Sequence, residues 1–162
     1  MDRVHTRKMT LTAILTAMNV LLSQLIYIPL GPVKAFPIQH LINVICAVIV
    51  GPWFSFVQAL MSSLIRNMAG TGTLFAFPGS IIGALLAGLL YQRYKKISFA
   101  VIGEAVGTGL VGSLMCLPLI WMMNLDIVVL KVIMPAFIVS SLTGSIIAGV
   151  LMIVISKRGI IK

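Results

Sequence analysis

The sequence predicts an all-α integral membrane protein, a bundle of six transmembrane helices. Of the 162 residues, 60% are hydrophobic and 9% are charged, whereas a soluble domain has about 25% charged residues. The apolar residues form long runs, and a spanning helix needs about 20 mostly apolar residues. The net charge of +9 comes from small basic groups between these runs, not from one basic patch on a polar surface. We therefore expect no nucleic-acid binding.

The apolar runs place the helices in chain order. We expect one membrane domain over residues 1–162, with helices at about 9–29, 37–51, 53–69, 77–93, 97–121 and 131–156. The second run is short for a span, so the helix is tilted or begins below the membrane surface. Gly51, Pro52 and Trp53 separate it from the third run, and tryptophan is typical of a membrane interface.

The orientation follows from the positive charges, because cytoplasmic loops carry an excess of Lys and Arg. Nine of the 12 basic residues lie before helix 1, between helices 4 and 5, and after helix 6. These nine are Arg3, Arg7, Lys8, Arg93, Lys95, Lys96, Lys157, Arg158 and Lys162. An even number of spans separates the three groups, so both termini are predicted to be cytoplasmic.

Neither processing nor metal binding is predicted. The first run has a basic start, but its apolar stretch is longer than the 7–15 residues typical of a cleaved signal. Cys46 and Cys116 lie inside predicted helices without paired spacing, so we expect no disulfide, no metal site and no cofactor.

Small residues mark surfaces where membrane helices approach closely. They recur in helices 4, 5 and 6 at Gly79, Gly83, Ala87, Gly103, Gly107, Gly112, Gly144 and Ala148, and packing within one bundle explains them. Helix 1 carries Ala13 and Ala17 beside a polar stripe, formed by Thr12, Thr16, Asn19 and Ser23. Either this surface packs inward or it docks another membrane protein, and the spacing does not decide between the two.

Polar and aromatic residues collect at the predicted outer ends of the helices. Ionisable groups within spans usually face a cavity or a partner, and small-molecule sites are mostly apolar with a few placed polar groups. The candidate substrate-binding residues are Gln39, His40, Asn43, Arg66, Asn67, Thr71, Thr73, Phe77, Glu104 and Trp121, with Phe75 as an alternative to Phe77. They favour a pocket for a small, weakly charged and heteroaromatic ligand.

Structural roles compete with binding roles at four of these positions. Arg66 could extend to the interface, and His40 could cap a helix or bond within the core. Residues 70–73 form either a flexible turn or a loop that covers a ligand. Glu104 is expected about 10 Å below the cytoplasmic membrane surface at 1.5 Å per residue, roughly 9 Å from the depth of Arg66. A structural Glu104 is therefore an alternative to a binding one.

The chain offers no means of driving transport by itself. It contains no G-x-x-x-x-G-K-[ST] loop for ATP. It has three acidic residues in all, too few for a proton path. No matching halves with broken helices indicate a self-sufficient secondary transporter. The residues favour a protein that binds a ligand outside but does not energise its passage.

Three stretches carry a family resemblance: "GPVKAFPIQHLINV", "GPW" and "LIRNMAGTGTLFAFPGSIIGALLAGLLY". Together with the short helices and the Ala13–Ala17 pair, they resemble the ThiW family, S-components of energy-coupling factor (ECF) vitamin transporters. The resemblance is strongest over residues 31–91 and weak after about residue 110.

The resemblance implies a mechanism and partners. An S-component in a bacterial or archaeal plasma membrane binds a vitamin precursor from outside, under a lid between helices 1 and 2. Ala13 and Ala17 match the motif that docks a transmembrane scaffold subunit, which carries two cytoplasmic ATPases. ATP-driven change then topples the S-component in the bilayer. The implied ligand is hydroxyethyl-methylthiazole, the thiazole half of thiamine.

Other functions are weighed against this one. The ligand could be intact thiamine, a pyrimidine precursor or another vitamin, although a cationic ligand would need a carboxylate, and Glu104 and Asp126 are the candidates. An intramembrane enzyme would use Ser80 as nucleophile and His40 as base, but the G-x-S-x-G spacing is missing. A purely structural role for the small-residue surfaces is the third alternative.

Overall fold

The computed structural model describes residues 3–31 and 33–158, and most of them are helical. The elements are α1 (Arg3–Leu25), β1 (Ile28–Leu30), β2 (Val33–Ala35), α2 (Pro37–Val50), α3 (Pro52–Met68), α4 (Ala76–Tyr94), α5 (Ile97–Val106), a π-helical segment (Gly107–Gly112), α6 (Leu117–Met122) and α7 (Val128–Lys157). Helix α4 packs against α2, α3 and α5, while α7 packs against α2 and α5.

Small residues let these helices approach closely, as the sequence predicts. A Cβ atom added at Gly103 would lie 2.8 Å from the Ala87 backbone, and one at Gly107 would lie 2.8 Å from Cα of Gly83. Added at Gly112, it would lie 2.7 Å from Cα of Gly79. Helix α4 and the chain from α5 through the π segment therefore meet backbone to backbone, which is how membrane helices gain packing energy without a hydrophobic drive.

The first helix differs from its predicted range of 9–29. It begins at Arg3 and ends at Leu25, and residues 28–30 form an antiparallel hairpin with 33–35, in which Ile28 pairs with Ala35. Pro29 has no backbone N–H to continue a helix, and Gly31 adopts a φ of +63° in the turn. The predicted helical end is thus wrong over residues 26–29.

The fifth predicted helix, 97–121, is also interrupted. It is α-helical to Val106, π-helical over Gly107–Gly112, and resumes as α6 only at Leu117. Pro118 cannot donate to an i−4 carbonyl, and its ring clashes with that carbonyl. Single π-helical turns are frequent at functional sites, and this one positions Thr108.

The other helix boundaries lie close to their predicted places. Helices α2, α3 and α4 begin and end within one residue of the predicted ranges, and Gly51 at a φ of +97° separates the first two. Helix α7 begins at Val128, three residues before the predicted start at 131. It continues through Pro135 to Lys157.

Two helical stretches among the described residues are long and apolar enough to cross a membrane, Ile97–Met122 and Val128–Lys157. Helix α2 is a shorter apolar helix. Large apolar side chains are exposed along the bundle, including Leu21, Met68, Ile146 and Val150. Exposed apolar surface of this extent is typical of a surface that contacts lipid or another protein.

Candidate ligand-binding site

A cavity of about 560 Å³ lies where the hairpin meets the first turns of α2 and α4, the end of α3 and the first half of α7. Its volume is within the range of about 300–1,000 Å³ that is usual for small-molecule sites. Five of the predicted site residues line it, Gln39, His40, Arg66, Thr71 and Thr73. These come from two separate stretches of the chain, 39–40 and 66–73, so the folded bundle brings them together.

Arg66 is the largest fully buried side chain, with 1% of its surface exposed. It donates a hydrogen bond to Oε1 of Gln39, and its guanidinium carbon lies 4.3 Å from the centroid of the Phe36 ring. Its Nε has no hydrogen-bond partner among the described residues. Arg66 therefore does not extend to the interface, and its side chain forms part of the cavity lining.

The loop after α3 is held by the backbone. The Arg66 carbonyl accepts hydrogen bonds from the N–H groups of Thr71 and Gly72, each at 2.9 Å. Asn67 donates to the carbonyls of Ser63 at 2.9 Å and Thr73 at 3.0 Å. Asn67 thus fixes the loop without lining the cavity, and residues 70–73 form an ordered edge to the site.

Glu104 lies behind the cavity wall and is fully buried. Its Oε1 lies 2.7 Å from Nδ1 of His40, 2.9 Å from Nδ2 of Asn43 and 3.2 Å from Oγ1 of Thr108. Among the described residues, this is the one close contact between a carboxylate and a basic side chain. Glu104 therefore pairs with His40, in the first turn of α2, and not with Arg66.

Five predicted site residues do not line the cavity: Asn43, Asn67, Phe77, Glu104 and Trp121. Ala76, Gly79 and Ser80 form the lining face of α4, and Phe77 lies about 100° around the helix from Ala76, so Phe75 lines the cavity instead. Trp121 is 70% exposed and lies on α6, beyond the break in the fifth predicted helix.

Several lining residues were not predicted. Ile133, Ala136, Phe137 and Ser140 share one face of α7. Most of the first half of α7 is apolar and Ser140 is the one polar residue among these four, so the sequence indicates that face only weakly. Phe36 lies directly before Pro37, and its N–H donates to Oγ of Ser140 at 2.8 Å. That bond ties the hairpin to α7. The aromatic residue beside Pro37 is the one signal that could have indicated this contact.

The polar stripe and the alanine pair of helix α1 lie on different sides of the helix. Thr12, Thr16, Asn19 and Ser23 are buried, whereas Ala13 and Ala17 are exposed. Nδ2 of Asn19 donates to Oγ of Ser62 at 3.2 Å, and Oγ of Ser23 donates to Oδ1 of Asn19 at 2.9 Å. The polar stripe therefore packs against α3, and the alanines face away from the bundle.

The geometry offers no nucleophile and base. Oγ of Ser80 accepts from Nδ2 of Asn43 at 3.0 Å, and no hydrogen bond joins Ser80 to His40 within the described residues. Over residues 3–31 and 33–158, no three His, Cys, Asp or Glu side chains group to hold a metal, and Cys46 and Cys116 are free and buried.

Comparison with known proteins places these features in a family. A family model described as "Thiamine-precursor transporter protein (ThiW)" matches residues 9–158. A solved structure described as the S component of a bacterial ECF transporter has the same fold, with a TM-score of 0.77 and 15% identity over 95% of this chain and 98% of that one. No curated protein matches the chain. It is thus a membrane transport protein and not an enzyme, and it belongs to the ThiW family of thiamine-precursor transporter proteins.

Proposed function

We propose that this chain is the substrate-binding S-component of an ECF-type transporter, which captures a thiamine precursor outside the cell for ATP-driven uptake by partner subunits. One observation carries the proposal: a cavity of about 560 Å³ lined by buried polar groups, including Arg66 and His40, lies at one end of an S-component fold. The family supports a thiamine precursor as the cargo.

Hydroxyethyl-methylthiazole is the proposed ligand, because the charges at the cavity disfavour a cation and its aromatic lining suits a thiazole ring. Lys34 and Arg66 both line the cavity, and no described carboxylate does. Glu104 is behind the wall and already accepts hydrogen bonds there. A cationic ligand such as thiamine would bring a third positive charge beside two others without a counter-ion. Phe36, Phe75 and Phe137 supply aromatic surface for a thiazole ring.

The proposed topology has six spans, namely α1, α2, α3, α4, the stretch from α5 through α6, and α7. The cavity lies at the C-terminal ends of α1 and α3 and the N-terminal ends of α2, α4 and α7. The three basic groups lie at the opposite ends of these helices. The positive-inside rule then puts both termini in the cytoplasm and opens the cavity outward.

Coupling to partners is assigned to α1. Ala13 and Ala17 are exposed one helical turn apart and have no bulky side chains, which suits close approach of a helix from a scaffold subunit. ATP hydrolysis would come from two cytoplasmic ATPase subunits on that scaffold. A bacterial or archaeal plasma membrane is the proposed location.

The test is ligand binding by the purified chain in lipid nanodiscs. Isothermal titration compares hydroxyethyl-methylthiazole, thiamine and the hydroxymethyl-pyrimidine precursor, and mass spectrometry identifies any ligand that co-purifies. We expect the thiazole to bind most tightly. Tighter binding of thiamine or of the pyrimidine would replace the proposed ligand, and binding of none of the three would overturn the proposed function.

A further inference from the structure

We propose that Glu104 holds His40 as the neutral tautomer protonated on Nδ1, so that Nε2 is a hydrogen-bond acceptor on the cavity wall and receives a ligand hydroxyl. The part that concerns the ligand rests on the proposed function. Glu104 does not line the cavity, so it acts on the ligand only through His40 and is a positioning residue.

The hydrogen bonds at Glu104 indicate whether His40 or Glu104 carries the proton in their mutual contact. Nδ2 of Asn43 has only protons to offer, and it lies 2.9 Å from Oε1 of Glu104. That oxygen is therefore an acceptor and carries no proton of its own. Nδ1 of His40 lies 2.7 Å from the same oxygen, so Nδ1 carries the proton and donates it.

The second ring nitrogen of His40 is open to the cavity. Nε2 makes no hydrogen bond within the described residues, while His40 lines the cavity. The fully buried polar side-chain atoms without a partner belong to Asn43, Gln58, Ser63, Arg66 and Glu104, and His40 is not among them. A ligand in the cavity can therefore reach Nε2, which in a neutral imidazole protonated on Nδ1 is an acceptor.

The surrounding charges favour the neutral ring over the imidazolium. Arg66 and Lys34 line the same cavity, and Arg66 has no carboxylate partner among the described residues. A charged His40 would add a second buried cation to the cavity wall beside Arg66, and like charges repel strongly in a setting of low dielectric.

The cavity wall then presents an acceptor and a buried cation. Nε2 of His40 is the acceptor, and the Arg66 side chain lines the same cavity. A ligand that uses both carries a hydroxyl for His40 and an electron-rich atom or ring for Arg66. The substrate class is therefore a small, neutral heteroaromatic alcohol.

The tautomer is tested first, on the chain without ligand. The sequence has two histidines, and a His5→Gln variant leaves His40 as the one source of a ¹⁵N-histidine signal. We expect a protonated Nδ1 and an unprotonated Nε2 in the ¹⁵N spectrum. The same spectrum is expected in H5Q/E104Q, because the amide oxygen still accepts from Nδ1, and it is lost in H5Q/E104M. A proton on Nε2, alone or with one on Nδ1, overturns the proposal even if E104M fails to fold.

The hydroxyl is tested with two probes that differ only in that group, hydroxyethyl-methylthiazole and ethyl-methylthiazole. We expect the unchanged chain to prefer the alcohol by about fivefold or more, because the ethyl compound leaves the Nε2 acceptor unpaired in the closed site. The E104M variant should bring that ratio close to one and change the affinity for the ethyl compound little, while E104Q keeps the preference.

Equal weakening of both compounds in E104M would show a merely structural Glu104 and overturn the proposal. If neither thiazole binds to the unchanged chain, the proposed ligand is wrong. The ¹⁵N spectrum still decides the relation between Glu104 and His40 in that case.

Discussion

Arg66 at the end of α3 donates a hydrogen bond to Oε1 of Gln39 in the first turn of α2, and this contact joins two helices at the cavity. The guanidinium also rests on the Phe36 ring, with 4.3 Å between the guanidinium carbon and the ring centroid. Buried charges are normally paired, yet no described carboxylate faces this one. An amide and an aromatic ring therefore hold this cation in the cavity lining.

Replacing Arg66 should weaken ligand binding more than it destabilises the fold. In Arg66→Met the cavity loses its buried cation, and the ligand group that faced it is left unpaired, which costs about 1–3 kcal/mol and corresponds to roughly 5- to 150-fold in affinity. The unpaired Oε1 of Gln39 lowers stability, but removal of the buried charge offsets part of that cost. Arg66→Lys keeps the charge but not the planar fork, so its loss should be smaller. Titration with hydroxyethyl-methylthiazole measures affinity, and thermal unfolding measures stability.

Arg93→Met is the matched control for Arg66, because Arg93 is an exposed arginine near the other end of α4. It should bind like the unchanged chain. If Arg66→Met binds equally well and melts at the same temperature, Arg66 has no part in the site.

The gathering of Gln39, His40 and Arg66 could be predicted from the sequence, because polar residues in an apolar chain are few. The groups of basic residues indicate which helix ends share a side of the membrane, and that places these three at one end. The partners of Glu104 are harder to predict from the sequence. Its distance along helix 5 indicated a depth well below Arg66, but the short α2 and the close approach of α4 bring His40 and Asn43 to it.

The hairpin and the break in the fifth helix could not be predicted, and the misplaced residues follow from both. The strands are three residues each, too short to show an alternating pattern, and Pro29 is the one local signal. A long apolar run predicts one continuous span even where a π segment divides it. The sequence therefore predicts Trp121 at the site, whereas Trp121 is exposed on α6. The cavity-lining face of α7 is hard to recognise in the sequence, because contact with lipid and contact with the cavity both favour apolar residues.

Removing a buried amide should change the thermal unfolding temperature in opposite directions at Gln58 and Asn19. Gln58 is fully buried, and neither atom of its amide has a hydrogen-bond partner within the described residues. Gln58→Met should therefore raise the thermal unfolding temperature, because an unsatisfied buried polar group costs about 1–3 kcal/mol. Asn19→Leu should lower it, since Asn19 bonds to Ser62 and Ser23. A loss of stability in Gln58→Met would show that its amide is bonded in the folded protein.

Gly83 is where α4 passes the Glu104 network, and alanine should not fit there. A Cβ at this position would overlap Oγ1 of Thr108 and lie 3.0 Å from Cδ of Glu104. We expect Gly83→Ala to cost about 1–3 kcal/mol of stability, as overpacking of a tight interior does, seen as a lower unfolding temperature. In the control Gly109→Ala, the nearest atoms are Cγ1 of Ile138 at 3.2 Å and Oγ of Ser141 at 3.4 Å, so the change should be smaller. Equal melting of the two variants would contradict the close contact between α4 and the Glu104 network.

The exposed alanines of α1 should be required for assembly and dispensable for ligand binding. Leucine at both Ala13 and Ala17 adds bulk to a surface where a partner helix would approach closely, and neither residue lines the cavity. Co-purification with a tagged scaffold subunit should be lost in the double variant, while the affinity for hydroxyethyl-methylthiazole stays the same. Val150→Phe with Val154→Phe is the control that adds comparable bulk, because these residues are exposed at the same spacing on α7, and it should assemble normally. Assembly of both variants would place the docking surface elsewhere, and loss in both would indicate that bulk anywhere on the lipid-facing surface prevents it.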